Sequence, residues 1–79
     1  MLTEYITSSM NNAIYETLED GTIYGSIPGF QGVWANTNSK KECHQELQEV
    51  LEEWILFKTR HNHPLPVVNN LDLNPSSIA

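Results

Sequence analysis

The sequence predicts an α+β domain: an N-terminal helix, a three-stranded antiparallel sheet, a long helix packed on one sheet face, and a short fourth edge strand. Three observations carry this. From Ser39 to about Arg60, apolar residues recur at helical spacing with acids on the opposite side. Asp20-Gly21 separates two β-rich runs, which is a hairpin signal. A third alternating run, Val33 to Asn38, leads straight into the long helix.

In chain order, Leu2, Tyr5, Ile6 and Met10 have helical spacing, and Asn11-Asn12 is a natural stop. A helix this short needs packing to persist. Residues 13–19 and 22–27 then form the hairpin. With Asp20 and Gly21 as a two-residue turn, Leu18 faces Ile23, Glu16 faces Gly25 and Ile14 faces Ile27. That register gives Ile14, Leu18 and Ile23 to the core side, and Tyr15, Thr17 and Tyr24 to the other. Pro28-Gly29-Phe30-Gln31-Gly32 reads as a loop, because proline donates nothing to a ladder and glycine permits unusual backbone angles. In the third strand, Val33, Ala35 and Thr37 point one way, Trp34 and Asn36 the other.

Ser39 with Glu42 three residues on matches a capping box. On the helix that follows, Cys43, Leu47, Val50, Leu51, Trp54 and Phe57 share the apolar face, whereas Glu42, Glu46, Glu49 and Glu53 form an acidic stripe. Pro64 disfavours helix at the residue before it. Leu65 to Val68 reads as the fourth strand, at an edge because of Pro64 and Pro66. The expected organisation is one domain over residues 1–79: a helix over 1–12, a core over 13–68 and a polar tail over 69–79.

The 79 residues carry a formal charge of −6, ten acids against four bases. This argues against nucleic-acid binding through a basic patch and agrees with a basic protein partner. So short a chain has a thin core, and self-association into a dimer or tetramer is expected to add buried area. Cys43 is the single cysteine, so no intrachain disulfide forms. The N-terminus lacks the pattern of a signal peptide, and no apolar stretch approaches the roughly 20 residues that span a bilayer. The expectation is a soluble cytoplasmic protein with no membrane contact.

Chemistry-bearing residues are present, but in patterns with bland explanations. Four glutamates on one helix face usually mean a solvated face, and no second segment supplies converging oxygens for a metal cage. His61 and His63, two apart at a helix end, lack the companions of a zinc site. Cys43 lies on the apolar face, where a thiol packs rather than reacts. No Ser/His/Asp arrangement or phosphate-cradling loop is recognisable. The chain is therefore expected not to be an enzyme, with no catalytic residues, no metal ligands and no cofactor. The candidate surface for a partner or a second copy comprises Tyr15, Tyr24 and Trp34 on the sheet, and Glu46, Glu49 and Glu53 on the helix.

The order of these signals resembles the HicB antitoxin family. The residues that carry the likeness are EDGTIYGSIPGFQGVWANTNSKKEC followed by LQEVLEEWI, in a resemblance spanning about Ile14 to Val68. It implies a partial RNase H-like domain of β-β-β-α-β order, here preceded by an extra helix. Of the acids an RNase H-like sheet would use, this one supplies only Glu16, Glu19 and Asp20. The resemblance also implies a function: neutralising a small basic HicA-type mRNA ribonuclease by masking its active site. Many members add a DNA-binding domain. Only about ten residues follow the last strand here, so a stand-alone form with no direct DNA binding is expected. The alternative is an oligomeric HicB-like domain of structural or regulatory role with a different partner.

Overall fold

The computed structural model describes residues 2–69. It contains α1 (Leu2–Asn11), β1 (Ile14–Thr17), β2 (Ile23–Ser26), β3 (Trp34–Thr37) and α2 (Lys40–Arg60). The strands form one antiparallel sheet in the order β1-β2-β3. The α+β class, the leading helix, the three strands and the long second helix are those the sequence predicts. The fourth strand shrinks to a single bridging residue, Val68, because Pro64 and Pro66 remove two donors from the segment before it. Beyond Asn69, the polar tail lies outside the described residues.

The hairpin register differs from expectation by one residue. Thr17 pairs with Ile23, Glu16 with Tyr24, Tyr15 with Gly25 and Ile14 with Ser26. The cause is the turn. Leu18 N–H donates to Thr22 O at 2.8 Å and Gly21 N–H to Leu18 O at 3.0 Å, with Gly21 at φ 86°. Three residues therefore close the loop, a turn followed by a left-handed glycine, in place of two. Asp20 favours this form because its Oδ1 accepts from both Thr22 N–H at 2.9 Å and Thr22 Oγ1 at 2.6 Å. Those bonds hold the Asp20 carboxyl below its usual range. A one-residue slip exchanges the faces of β1. Tyr15 and Thr17 join Ile23, Gly25 and Ala35 on the inner face; Ile14, Glu16 and Leu18 join Tyr24, Trp34 and Asn36 outside.

α2 lies across the inner face. Ser39 caps it: Glu42 N–H donates to Ser39 Oγ at 3.2 Å. The carboxylate of Glu42 accepts from the Ser39 hydroxyl at 3.0 Å, a variant of the usual capping box. Cys43, Leu47, Leu51 and Ile55 are the buried row, one turn apart. Full burial of a leucine such as Leu47 or Leu51 contributes about 1.5–3 kcal/mol. Trp54 and Val50 flank this row, half-buried. Phe57, expected in the core, is 53% exposed, while Ile55 takes the inward place. Four-residue steps from Cys43 lead to Ile55, not to Phe57, so the sheet selects that row.

The far end of α2 is closed by a Schellman arrangement: His63 N–H donates to Lys58 O at 2.8 Å and Asn62 N–H to Thr59 O at 3.2 Å. Asn62 has φ 57°, the left-handed position of that motif. The segment Ile27–Val33 is more than a connector. Gly29 and Gly32, with φ 86° and 92°, permit two consecutive turns that drive Phe30 into the core. Its ring lies 6.2 Å from Tyr5 and 5.2 Å from Trp54. α1 completes the core through Tyr5, Ser9 and Met10, and Tyr5 Oη donates to Pro66 O at 2.5 Å, joining the two ends of the described chain.

Gly25 is where helix and sheet come closest. A Cβ there would lie 2.8 Å from Cys43 Sγ and 3.1 Å from the Tyr15 ring. Gly25→Ala is expected to cost about 1–3 kcal/mol through overpacking. The Cys43→Ala background is expected to remove much of that loss, since the sulfur is the nearest obstacle. Urea midpoints of the four proteins in this cycle measure the coupling, and a loss unchanged by Cys43→Ala would refute it. At Asn62, valine is expected to lose about 1–2 kcal/mol, because a branched residue resists the left-handed backbone. Glycine at the same position is expected to match or exceed the parent in thermal unfolding.

Candidate partner-binding surface

The six candidate residues separate onto three surfaces. Tyr24 and Trp34 are together on the outer sheet face, with ring centroids 5.9 Å apart and planes at 16°. They come from neighbouring strands and touch diagonally, since Tyr24 stands opposite Asn36 and Trp34 opposite Ser26. Trp34 is 53% exposed and Ile14, in the same row, 57%. Glu46, Glu49 and Glu53 are exposed on the side of α2 that faces away from the sheet. No single planar partner touches both surfaces, because the sheet and the helix body stand between them.

Tyr15 belongs to neither. The hairpin register places it on the inner face, half-buried beneath α2, where its hydroxyl is 2.9 Å from His44 Nδ1 and Lys40 Nζ lies 5.2 Å from its ring. Burial raises the Tyr15 hydroxyl pKa, and a charged Cys43 beside it would raise it further. Tyr15 is thus a wall of the helix–sheet seam. The residues missed by the two-residue turn are Ile14, Glu16 and Leu18, which take the outer face instead. The signal for them is Thr22, whose two bonds to Asp20 favour the three-residue loop.

The other chemistry-bearing side chains stay apart. Cys43 is fully buried, with Sγ 3.6 Å from Ala35 O. Burial pushes its thiol pKa up and the charge of Glu46 pushes it the same way, with the nearby Thr37 and Gly25 dipoles acting in the opposite sense. A thiol held in this way is protonated near neutrality and poor as a nucleophile. His61 and His63 pack against exposed Phe57, with ring centroids at 4.4 and 6.1 Å. Among the described residues, no three His, Cys, Asp or Glu side chains are grouped as metal ligands. Ser9 is buried, and its hydroxyl has no hydrogen-bond partner among the described residues. No helix among the described residues is long and apolar enough to cross a membrane.

Folding keeps the Cys43 thiol protonated, whereas in the unfolded chain it ionises from about pH 8.5. This part of the stability is complete below that pH and declines as the pH rises toward the folded value. Tyr15 adds a similar decline beginning near pH 10. Denaturant unfolding between pH 7.5 and 10 is expected to show a fall that Cys43→Ala reduces; parallel curves for the two proteins would refute the assignment.

The comparisons with known proteins agree with this architecture. No curated protein matches the chain. The crystal structure of TTHA0281 from Thermus thermophilus is similar, with a TM-score of 0.85 and 38% sequence identity, over 91% of this chain and 90% of that one. Identity at that level, together with coverage of both chains nearly end to end, extends the likeness beyond fold to sequence. The model of the UPF0150-like family matches residues 4–66, which take in the whole sheet, α2, most of α1 and the aromatic outer face. The chain belongs to the UPF0150-like family.

Proposed function

We propose that this chain is an antitoxin-like binding module that neutralises a small basic ribonuclease of the HicA type by covering its active site. The observation that carries the reading is the outer sheet face. On a chain of charge −6, exposed Trp34 stacked on half-buried Tyr24, with exposed Ile14 beside them, is left without cover by either helix. Exposed aromatic groups of this kind anchor protein interfaces, and acidity speeds the approach of a basic partner. The HicB-like order of motifs supports the same reading, as does membership of a family of small α+β proteins. Masking needs no catalytic group on the inhibitor. It needs a rigid surface, and a sheet backed by a packed helix is rigid.

The second reading is a stand-alone domain whose outer face holds another copy. The exposure of Ile14 and Trp34 favours it, since a thin core gains from covering them. Co-expression with a small basic reading frame sought beside its gene separates the two, and absence of any such frame would overturn the antitoxin reading. Under the antitoxin reading, the neighbour alone arrests growth, co-expression restores it, and the two chains co-purify. Absence of a complex at micromolar concentration, or growth unaffected by the neighbour, would overturn that reading. A dimer or tetramer dispersed by Trp34→Ala in size-exclusion chromatography would support the second.

A further inference from the structure

All four basic residues of the chain, Lys40, Lys41, Lys58 and Arg60, are on α2. Two of them already lie over rings, Lys40 over Tyr15 at 5.2 Å and Lys58 over Trp54 at 5.1 Å. Among the described residues, the outer sheet face therefore has no Lys or Arg of its own, yet it has what a cation binds. Glu16 stands directly opposite Tyr24 across β1 and β2. Opposed residues in an antiparallel pair have Cβ atoms about 4.5–5.5 Å apart, so this carboxylate borders the Tyr24–Trp34 stack. Glu16 is exposed, and its carboxylate makes no hydrogen bond or ion pair among the described residues. Glu19 and Asp20, at the tip of the same hairpin, add negative charge near it.

A carboxylate facing Tyr24, whose ring in turn stacks on the exposed Trp34 indole, calls for a group that is planar, cationic and rich in donors. Guanidinium has all three properties. Its face lies flat on an aromatic ring, and its edge sends two parallel N–H groups to a carboxylate. An ammonium is a point charge, and it does not span both elements with matched geometry. A second copy of this chain is a poorer occupant. A two-fold contact through this face would bring Glu16 toward its own symmetry mate, with no basic residue available to neutralise the pair.

We propose that Glu16, Tyr24 and Trp34 form a receptor for an arginine side chain on a basic protein partner. This rests on the protein-binding reading above, and adds to it the face used and the side chain received. The acidic stripe Glu46, Glu49 and Glu53 then contributes to the long-range field rather than to the contact.

The test titrates hexa-arginine and hexa-lysine peptides into the isotopically labelled full chain at physiological salt, following the backbone amides and the Trp34 indole N–H by NMR. Trp34→Phe assigns that signal. Hexa-arginine is expected to shift the Trp34 indole and to bind more tightly than hexa-lysine. Glu16→Gln and Trp34→Ala, both exposed and checked for retained amide dispersion, are each expected to weaken hexa-arginine binding by at least about threefold, the lower range for a cation–π or surface ion pair. The triple change Glu46→Gln, Glu49→Gln, Glu53→Gln is expected to weaken both peptides alike and to preserve the arginine preference. Equal affinity for the two peptides would overturn the proposal, as would shifts centred on α2 or an unaffected Glu16→Gln. So would a peptide-free dimer that buries Trp34. The probe is a peptide, so the receptor is testable without a cognate toxin. Co-purification with the neighbouring protein, without shifts at Trp34, would sustain the antitoxin reading and reject this receptor.

Discussion

Cys43 rests on the backbone of Gly25, and the rest of the domain is laid out from that contact. A side chain at Gly25 would begin 2.8 Å from the sulfur and 3.1 Å from the Tyr15 ring, so α2 approaches the middle strand only because nothing projects there. The contact sets the height of the helix above the sheet. It also selects which row of α2 faces inward, and the successive turns from Cys43 carry Leu47, Leu51 and Ile55 along the same line. Tyr15 closes one side of the seam. At the other end, Phe30 fills the space between Tyr5 and Trp54, which lets the short α1 pack as part of one core. An isolated helix of ten residues is marginal in water; here its stability comes from Tyr5, which is fully buried and bonded to Pro66.

That contact also explains what could be read from the sequence and what could not. Helical periodicity and a capping serine determine α2 with local information alone, and the acidic stripe follows from the same wheel. The alternation of β3 is equally local, so Trp34 is placed outside and Val33 and Ala35 inside without reference to any partner strand. β1 is different. Its faces depend on how many residues close the hairpin, and Asp-Gly serves both a two-residue and a three-residue loop. Hydrogen bonds from Thr22 to Asp20 decide between them, which moves Tyr15 inside and brings Glu16 out. Gly25 opposite Glu16 has no explanation in the two-residue register. In the observed register it stands opposite Tyr15, and the ring needs the missing side chain.

Two other residues are hidden for a similar reason. Phe30 lies in a segment whose proline and glycines mark it as a loop, and they do make turns; the turns are what point the ring inward. Ile55 loses its place to Phe57 on an idealised wheel. Both fall near the boundary of the apolar arc, and only the position of the sheet beneath the helix separates them. Exposed Phe57 instead meets His61 and His63, giving the end of α2 an aromatic cluster in place of a core contact.

The two exposed features of the candidate surface act over different distances. At physiological ionic strength, charges separated by more than about 8 Å are largely screened. The glutamates of α2, on the far side of the domain from Trp34, therefore contribute little to holding a group bound at the outer face. They add to a net field that orients and accelerates encounter, and such a field is weakened by salt. Retention depends on groups in contact. The aromatic stack presents a rigid platform because Tyr24 and Trp34 are fixed by strand pairing, so little side-chain freedom is lost when something settles on them. Glu16 sits beside that platform for the same reason that Tyr15 does not. The three-residue loop that turned the tyrosine into the seam turned the carboxylate out of it, so one local choice of turn both completes the core and supplies the outer face with its charge.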